Sequence, residues 1–143
     1  MAELLEAARL LGVETRARHV ASDVAYLKLV DEGLPVKSLD RIAAALAPDD
    51  AQFKYRIIPK ASLARRKESR RLSAAQSVVV TRLASVWAQA LRIWKSEPAA
   101  RDFLSRPHLL LGHRKPVDLV LENEIGAELV RNVLGGLESG AAV

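Results

Sequence analysis

The segment that most constrains the fold begins at Ser73-Ala-Ala-Gln76. Serine and glutamine at this spacing make a capping box, in which each side chain satisfies a backbone amide of the other at the start of a helix. Val80, Leu83, Trp87, Ala90 and Trp94 then recur at intervals of 3, 4, 3 and 4, and Val79, Val86 and Ile93 widen the stripe. That is the period of an α-helix, running to about Lys95. A helix with so broad an apolar face must be covered on more than one side. It is expected to be the spine of the molecule or part of a dimer seam.

The rest of the chain reads as shorter helices around this one. "AELLEAARLLG" places Leu4, Ala8 and Leu11 on one face and stops at Gly12. "SDVAYLKLVDEG" does the same with Val24, Leu27 and Val30 and stops at Gly33. Ser38 is expected to cap "SLDRIAAAL", with Leu39, Ile42 and Leu46 inward and Pro48 as terminator. Asp49 or Asp50 can cap "DAQFKYRI", and "KASLARRKES" forms the next short helix. Beyond the central helix come "EPAARDFLSRP", a loop "HLLLGHRK" turning at Gly112, and "PVDLVL" with Pro116 in its first turn. Glu122 and Glu124 suit the start of a last helix, whose apolar positions Ile125, Leu129, Val133 and Leu137 are spaced by four; Val130 and Val133 are read as core. No strand or repeat is evident. The fold class is all-α: a helix-turn-helix-like N-terminal domain followed by a second helical domain.

Several function classes are excluded at this level. The 143 residues suit one domain or two small ones, and the absence of cysteine removes disulfides, thiolate metal sites and cysteine nucleophiles. Arg9 and Glu6 interrupt the first apolar run, so no signal peptide is read there. No uncharged stretch approaches the ~20 residues of a membrane span, so a cytoplasmic protein is expected. Catalytic chemistry has little to build on. His108 and His113 lie five apart in a loop and read as surface or capping residues; His19 stands alone. The carboxylate pairs Asp31-Glu32 and Asp49-Asp50 are neighbours that do not share a helix face. No enzyme activity, metal or cofactor is expected.

Charge is unevenly spread. Residues 54–71 hold eight bases and one acid, whereas residues 117–143 hold five acids and one base. Such asymmetry points to two surfaces with different partners. Two short helices joined by a tight turn, the second basic, is the sequence form of a helix-turn-helix. Residues 49–56 would be the supporting helix and 60–67 the recognition helix, with Phe53, Ile57 and Leu63 as shared core. Lys60, Ser62, Arg65, Arg66, Lys67 and Arg70 are then the candidate DNA contacts. A solvated basic face is the alternative, and Arg56-Ile57-Ile58-Pro59 lacks the glycine common in such turns.

These motifs share their order with a known family. "LVDEGLP…SLDRIAAAL…IIPKASLARRK…RLSAAQS…RLASVWAQA" resembles the Xre-type antitoxins of the MbcA/ParS family, which pair with RES-domain toxins. "RPHLLLGHRKPVDLV" and "GAELVRNVLGGLESG" are similar to that family's loop and terminal motifs. The likeness spans about residues 20–140. His113 stands where the family pattern has glycine, His108 where it has asparagine, and Gly136 where it has arginine.

The resemblance implies a non-enzymatic antitoxin in three segments: an N-terminal helical stretch over 1–19, the helix-turn-helix domain over 20–82, and a toxin-binding domain with its tail over 83–143. It implies a homodimer within a toxin–antitoxin hetero-oligomer, operator DNA as one partner and a RES-domain toxin as the other. Such toxins resemble ADP-ribosyltransferases and consume NAD, and the antitoxin blocks their active site with its C-terminal region. Carried over by matching position, the loop motif gives Gly112, Arg114, Pro116, Asp118 and Leu119, and the terminal motif gives Gly126, Val130, Leu134, Gly135, Leu137, Glu138 and Gly140; the candidate toxin contacts are Arg114, Arg131, Leu134, Gly135, Leu137, Glu138, Gly140 and Val143. The competing reading is a stand-alone helix-turn-helix transcriptional regulator whose C-terminal half only dimerises.

Overall fold

The structure, a computed structural model, describes residues 2–12, 23–66 and 68–140. Every regular element among them is a helix. The chain divides into two compact units, Met1–Ser85 and Val86–Val143, and the boundary falls inside the longest helix.

The first unit holds α1 (Ala2–Leu10), α2 (Asp23–Glu32), α3 (Val36–Leu46), α4 (Lys54–Ile57), α5 (Lys60–Arg66) and the N-terminal part of α6 (Ala74–Trp94). The capping box forms as its spacing demands. Ser73 Oγ accepts from the Gln76 amide at 3.1 Å, and Gln76 Oε1 accepts from the Ser73 amide at 2.8 Å. Ser77, one residue on, accepts from the Leu34 amide at 2.8 Å through a fully buried hydroxyl. The start of α6 therefore also holds the turn after α2.

That turn is locked from a second side. Leu72 N donates to the Leu34 carbonyl at 2.8 Å and Val36 N to the Arg70 carbonyl at 3.0 Å, making an antiparallel bridge between Pro35 and Arg71. Gly33 has φ +98, and a Cβ there would run into the Leu72 carbonyl oxygen. Only glycine satisfies both the left-handed backbone and that approach. Around this tie lie Tyr26, Val30, Leu34, Leu39, Ile42, Leu72, Val80 and Leu83, all buried. The Tyr26 hydroxyl sits 2.8 Å from Thr81 Oγ1. Burial pushes its pKa up and the Thr81 bond pulls part of that back, so the phenol stays neutral at physiological pH.

Three expectations fail against the structure. Ser38 does not cap α3: the helix begins at Val36 after Pro35, and Ser38 is buried within its first turn, donating to the Leu11 carbonyl at 2.9 Å. Pro35 supplies the extended entry, so the serine is free to pin the end of α1. Val24 and Leu27 do not face the core; they are 74% and 56% exposed, because α2 packs through Tyr26 and Val30 instead. The helix expected over 49–56 shortens to the single turn of α4. Asp50 accepts from the Gln52 amide at 3.0 Å and holds a side-chain-capped turn ahead of it.

The second unit holds the rest of α6, α7 (Glu97–Ser105), a 3₁₀ turn (Leu109–Leu111), α8 (Pro116–Glu122) and α9 (Glu124–Glu138). Ser96 caps α7 by accepting from Ala99 N at 3.3 Å, and Asn123 caps α9 by accepting from Gly126 N at 2.9 Å. Glu124 lies in the first turn of α9 as expected, but Glu122 ends α8. Trp94 stacks on Phe103 at 4.8 Å, and Phe103 meets His108 edge-on at 5.6 Å.

The packing of α8 on α9 selects the core face of the last helix. At Gly126 an added Cβ would strike the Leu119 carbonyl oxygen, so the two backbones nearly touch. A crossing that close admits only small or well-placed side chains. Gly126, Ala127, Val130 and Leu134 go inward. Val130 is buried as expected, whereas Val133 is only half-buried; Ile125 and Leu129 are 74% and 47% exposed, and Leu137 is half-buried.

Candidate functional site

The basic surface is built on α4 and α5. Phe53, Ile57 and Leu63 are buried together as the sequence suggested, and this fixes α5 with its other faces outward. The glycine-free turn needs no glycine. Ile58 takes φ −134 and ψ 122, an ordinary extended geometry, and drives its own side chain into the core at 1% exposure. Lys60, Arg65 and Arg70 are exposed, Ser62 and Arg66 half-buried, and Lys67 lies outside the described residues.

The bases differ in what already holds them. Lys54 Nζ lies 3.5 Å from Asp40, and Arg71 Nη1 donates to the Gly33 carbonyl at 2.9 Å. Among the described residues Arg65, Arg66 and Arg70 form no ion pair. They are the cations with the least to give up on meeting an anion. Tyr55 was missed in the sequence: the ammonium groups of Lys54 and Lys60 lie 5.4 and 5.7 Å from its ring centroid. The only signal was an aromatic residue with lysine one position before and five after.

In the second unit the candidate residues fall on the 108–114 loop and on α9. Arg114 Nη2 lies 2.6 Å from Glu122 Oε2, and Arg131 Nη1 lies 2.8 Å from Glu124 and 3.5 Å from Glu128. Glu138 accepts from Arg92 Nε at 3.1 Å and from its Nη2 at 3.4 Å. All three charged candidates are thus engaged within the unit. Such exposed pairs contribute at most ~1 kcal/mol each, but they neutralise charge that a partner would otherwise meet. Leu134 is fully buried and Leu137 half-buried. Gly135 stands open: a methyl group added there would meet nothing within 4 Å. Gly140 takes φ +77 just after α9, and Val143 lies outside the described residues.

The loop is held by its own backbone. His108 and Arg114 form a bridge, and His108 Nδ1 accepts from Leu110 N at 3.1 Å, the capping role expected of it. Arg114 N donates to the Leu111 carbonyl at 3.1 Å across Gly112 and His113, whose φ values are +63 and +61. Two left-handed central residues make this a type I′ turn, a geometry that costs a non-glycine residue of order 1 kcal/mol. His113→Gly is therefore expected to raise stability by about 1 kcal/mol, seen as a Tm increase of a few degrees. A lower Tm would mean that the imidazole makes a contact worth more than the strain.

Two family models match, one on each unit. The antitoxin Xre-like helix-turn-helix domain matches residues 25–85, and the antitoxin Xre/MbcA/ParS C-terminal toxin-binding domain matches residues 89–140. No curated protein gives a significant match.

Proposed function

We propose a specific role for this chain, which belongs to the Xre/MbcA/ParS-type antitoxins and carries their helix-turn-helix and toxin-binding domains: it neutralises a RES-domain toxin and represses its own operon. The observation that carries this reading is one domain model matched on each unit, with α5 bearing cations that form no ion pair among the described residues and α9 bearing an open glycine near its end. Arg65, Arg66 and Arg70 are suited to phosphate, and a homodimer would present two such helices to the half-sites of an operator.

A NAD-consuming toxin must hold an anionic dinucleotide, so its pocket is expected to carry positive charge. In this reading the segment after α9, small residues without an acidic side chain, enters that pocket by fit and excludes the dinucleotide. Ser139 N and Gly140 N donate back to the Gly135 and Leu137 carbonyls, so the helix closes on a left-handed glycine just before the segment that would block the site.

The test is deletion from Ser139 onward, which leaves α9 and the Arg92–Glu138 pair in place. Coexpressed with a RES-domain toxin, the shortened chain is expected to bind the toxin yet fail to preserve cellular NAD. Full protection of NAD by the shortened chain would rule out blocking by this segment.

A further inference from the structure

We infer that the toxin is gripped by an apolar ridge on the outer side of α9, centred on Ile125 and Leu129, rather than by the charged residues of that helix. This rests on the antitoxin reading above and names the surface it uses. The fold provides a reason for the ridge. Because Gly126 brings α9 against the Leu119 carbonyl, the inward face is the one with small residues, and the i, i+4 series of large residues is turned outward. Ile125 is 74% exposed and Leu129, one turn on, is 47% exposed. Val133 continues the line half-buried.

Leu109 and Leu110, in the 3₁₀ turn that packs against α9, are 72% and 68% exposed. Four of the seven exposed large hydrophobic residues among those described therefore fall between 109 and 129. Scattered apolar residues on a surface need no explanation, but a helical i, i+4 pair on a helix against which an exposed Leu-Leu turn packs has the form of a helix that lies in a groove.

Three observations select the toxin as the occupant. The ridge lies within residues 89–140, the span matching a toxin-binding domain. The acids that could have made α9 an electrostatic plug are already paired with Arg131 and Arg92. On α9 the Arg131 pairs occupy positions 124, 128 and 131, a different helical stripe from 125 and 129, so binding through the ridge leaves them intact and costs no desolvated charge. The partner surface is accordingly an apolar groove.

The experiment measures binding of the full-length chain to a purified RES-domain toxin, with the wild type, the Ile125→Gln/Leu129→Gln double variant and Glu138→Gln. Both ridge positions are solvent-facing, and unchanged thermal unfolding will verify that the double variant folds. The expected result is a Kd weakened at least ~100-fold by the double variant and less than ~5-fold by Glu138→Gln, with little dependence on salt. Leu129→Ala alone is expected to weaken it by about tenfold. A folded double variant that binds like the wild type overturns the inference while leaving the antitoxin reading intact. So does a double variant altered only in self-association, which would assign the ridge to a second copy of the chain. Failure of the wild type itself to bind overturns the RES assignment and the inference with it.

Discussion

Gly126→Ala is expected to destabilise the Val86–Val143 unit by about 3 kcal/mol, the upper part of the range for forcing an extra methyl into a close-packed site. Intrinsic propensity alone argues the other way, since alanine in a helix interior is favoured over glycine by about 1 kcal/mol. The sign is decided by what the methyl meets. At Gly126 it meets the carbonyl oxygen of Leu119, a backbone atom fixed by α8, so relief requires moving one helix off the other. Such a shift would open the packing of α8 on α9, whose buried residues include Val117 and Val120 on the one helix and Val130 and Leu134 on the other. Gly135→Ala is the internal control. Nothing lies within 4 Å of its added methyl, so the propensity term acts unopposed and stability should rise by up to ~1 kcal/mol. Urea unfolding of both variants checks the pair. A mild effect at Gly126 would mean that α8 and α9 stand further apart than a carbonyl contact requires.

The same crossing explains where sequence reasoning stopped. The capping box, the long helix it starts and the buried trio Phe53, Ile57 and Leu63 were all legible, because each is set by local spacing and a single apolar face. On α9 two apolar faces compete. The series Ile125, Leu129, Val133 and Leu137 has the larger side chains, yet Gly126, Ala127, Val130 and Leu134 are the buried set. Periodicity identifies a face but not the distance to the neighbouring helix, and it is that distance which puts the glycine face inside. α2 has the same ambiguity: Val24 and Leu27 looked inward by size, but the Tyr26–Thr81 hydrogen bond fixes the rotation. The charged candidates failed to disclose their partners for a similar reason. Arg92 and Glu138 are 46 positions apart, and only the fold brings them together.

Arg65→Ala/Arg66→Ala is expected to weaken binding to the DNA upstream of the chain's own reading frame by ~100-fold at low salt, and to reduce the log–log salt slope by about 2. The prediction follows from what these side chains lack. Among the described residues neither has an ion-pair partner, so removing them breaks nothing in the free protein and the whole effect falls on the complex. Arg65 is exposed and Arg66 half-buried, while Leu63 remains buried, so the helix keeps its anchor. Lys54→Ala supplies the contrast. That ammonium already lies beside Asp40 and over the Tyr55 ring, so its loss should change DNA affinity by only a few-fold. Because the two units carry separate chemistry, the double arginine variant should bind the toxin with unaltered Kd. Unchanged DNA affinity would leave α5 as merely a solvated basic face. A simultaneous loss of toxin binding would instead require the basic surface to serve both partners, and the division of labour between α5 and α9 would fall.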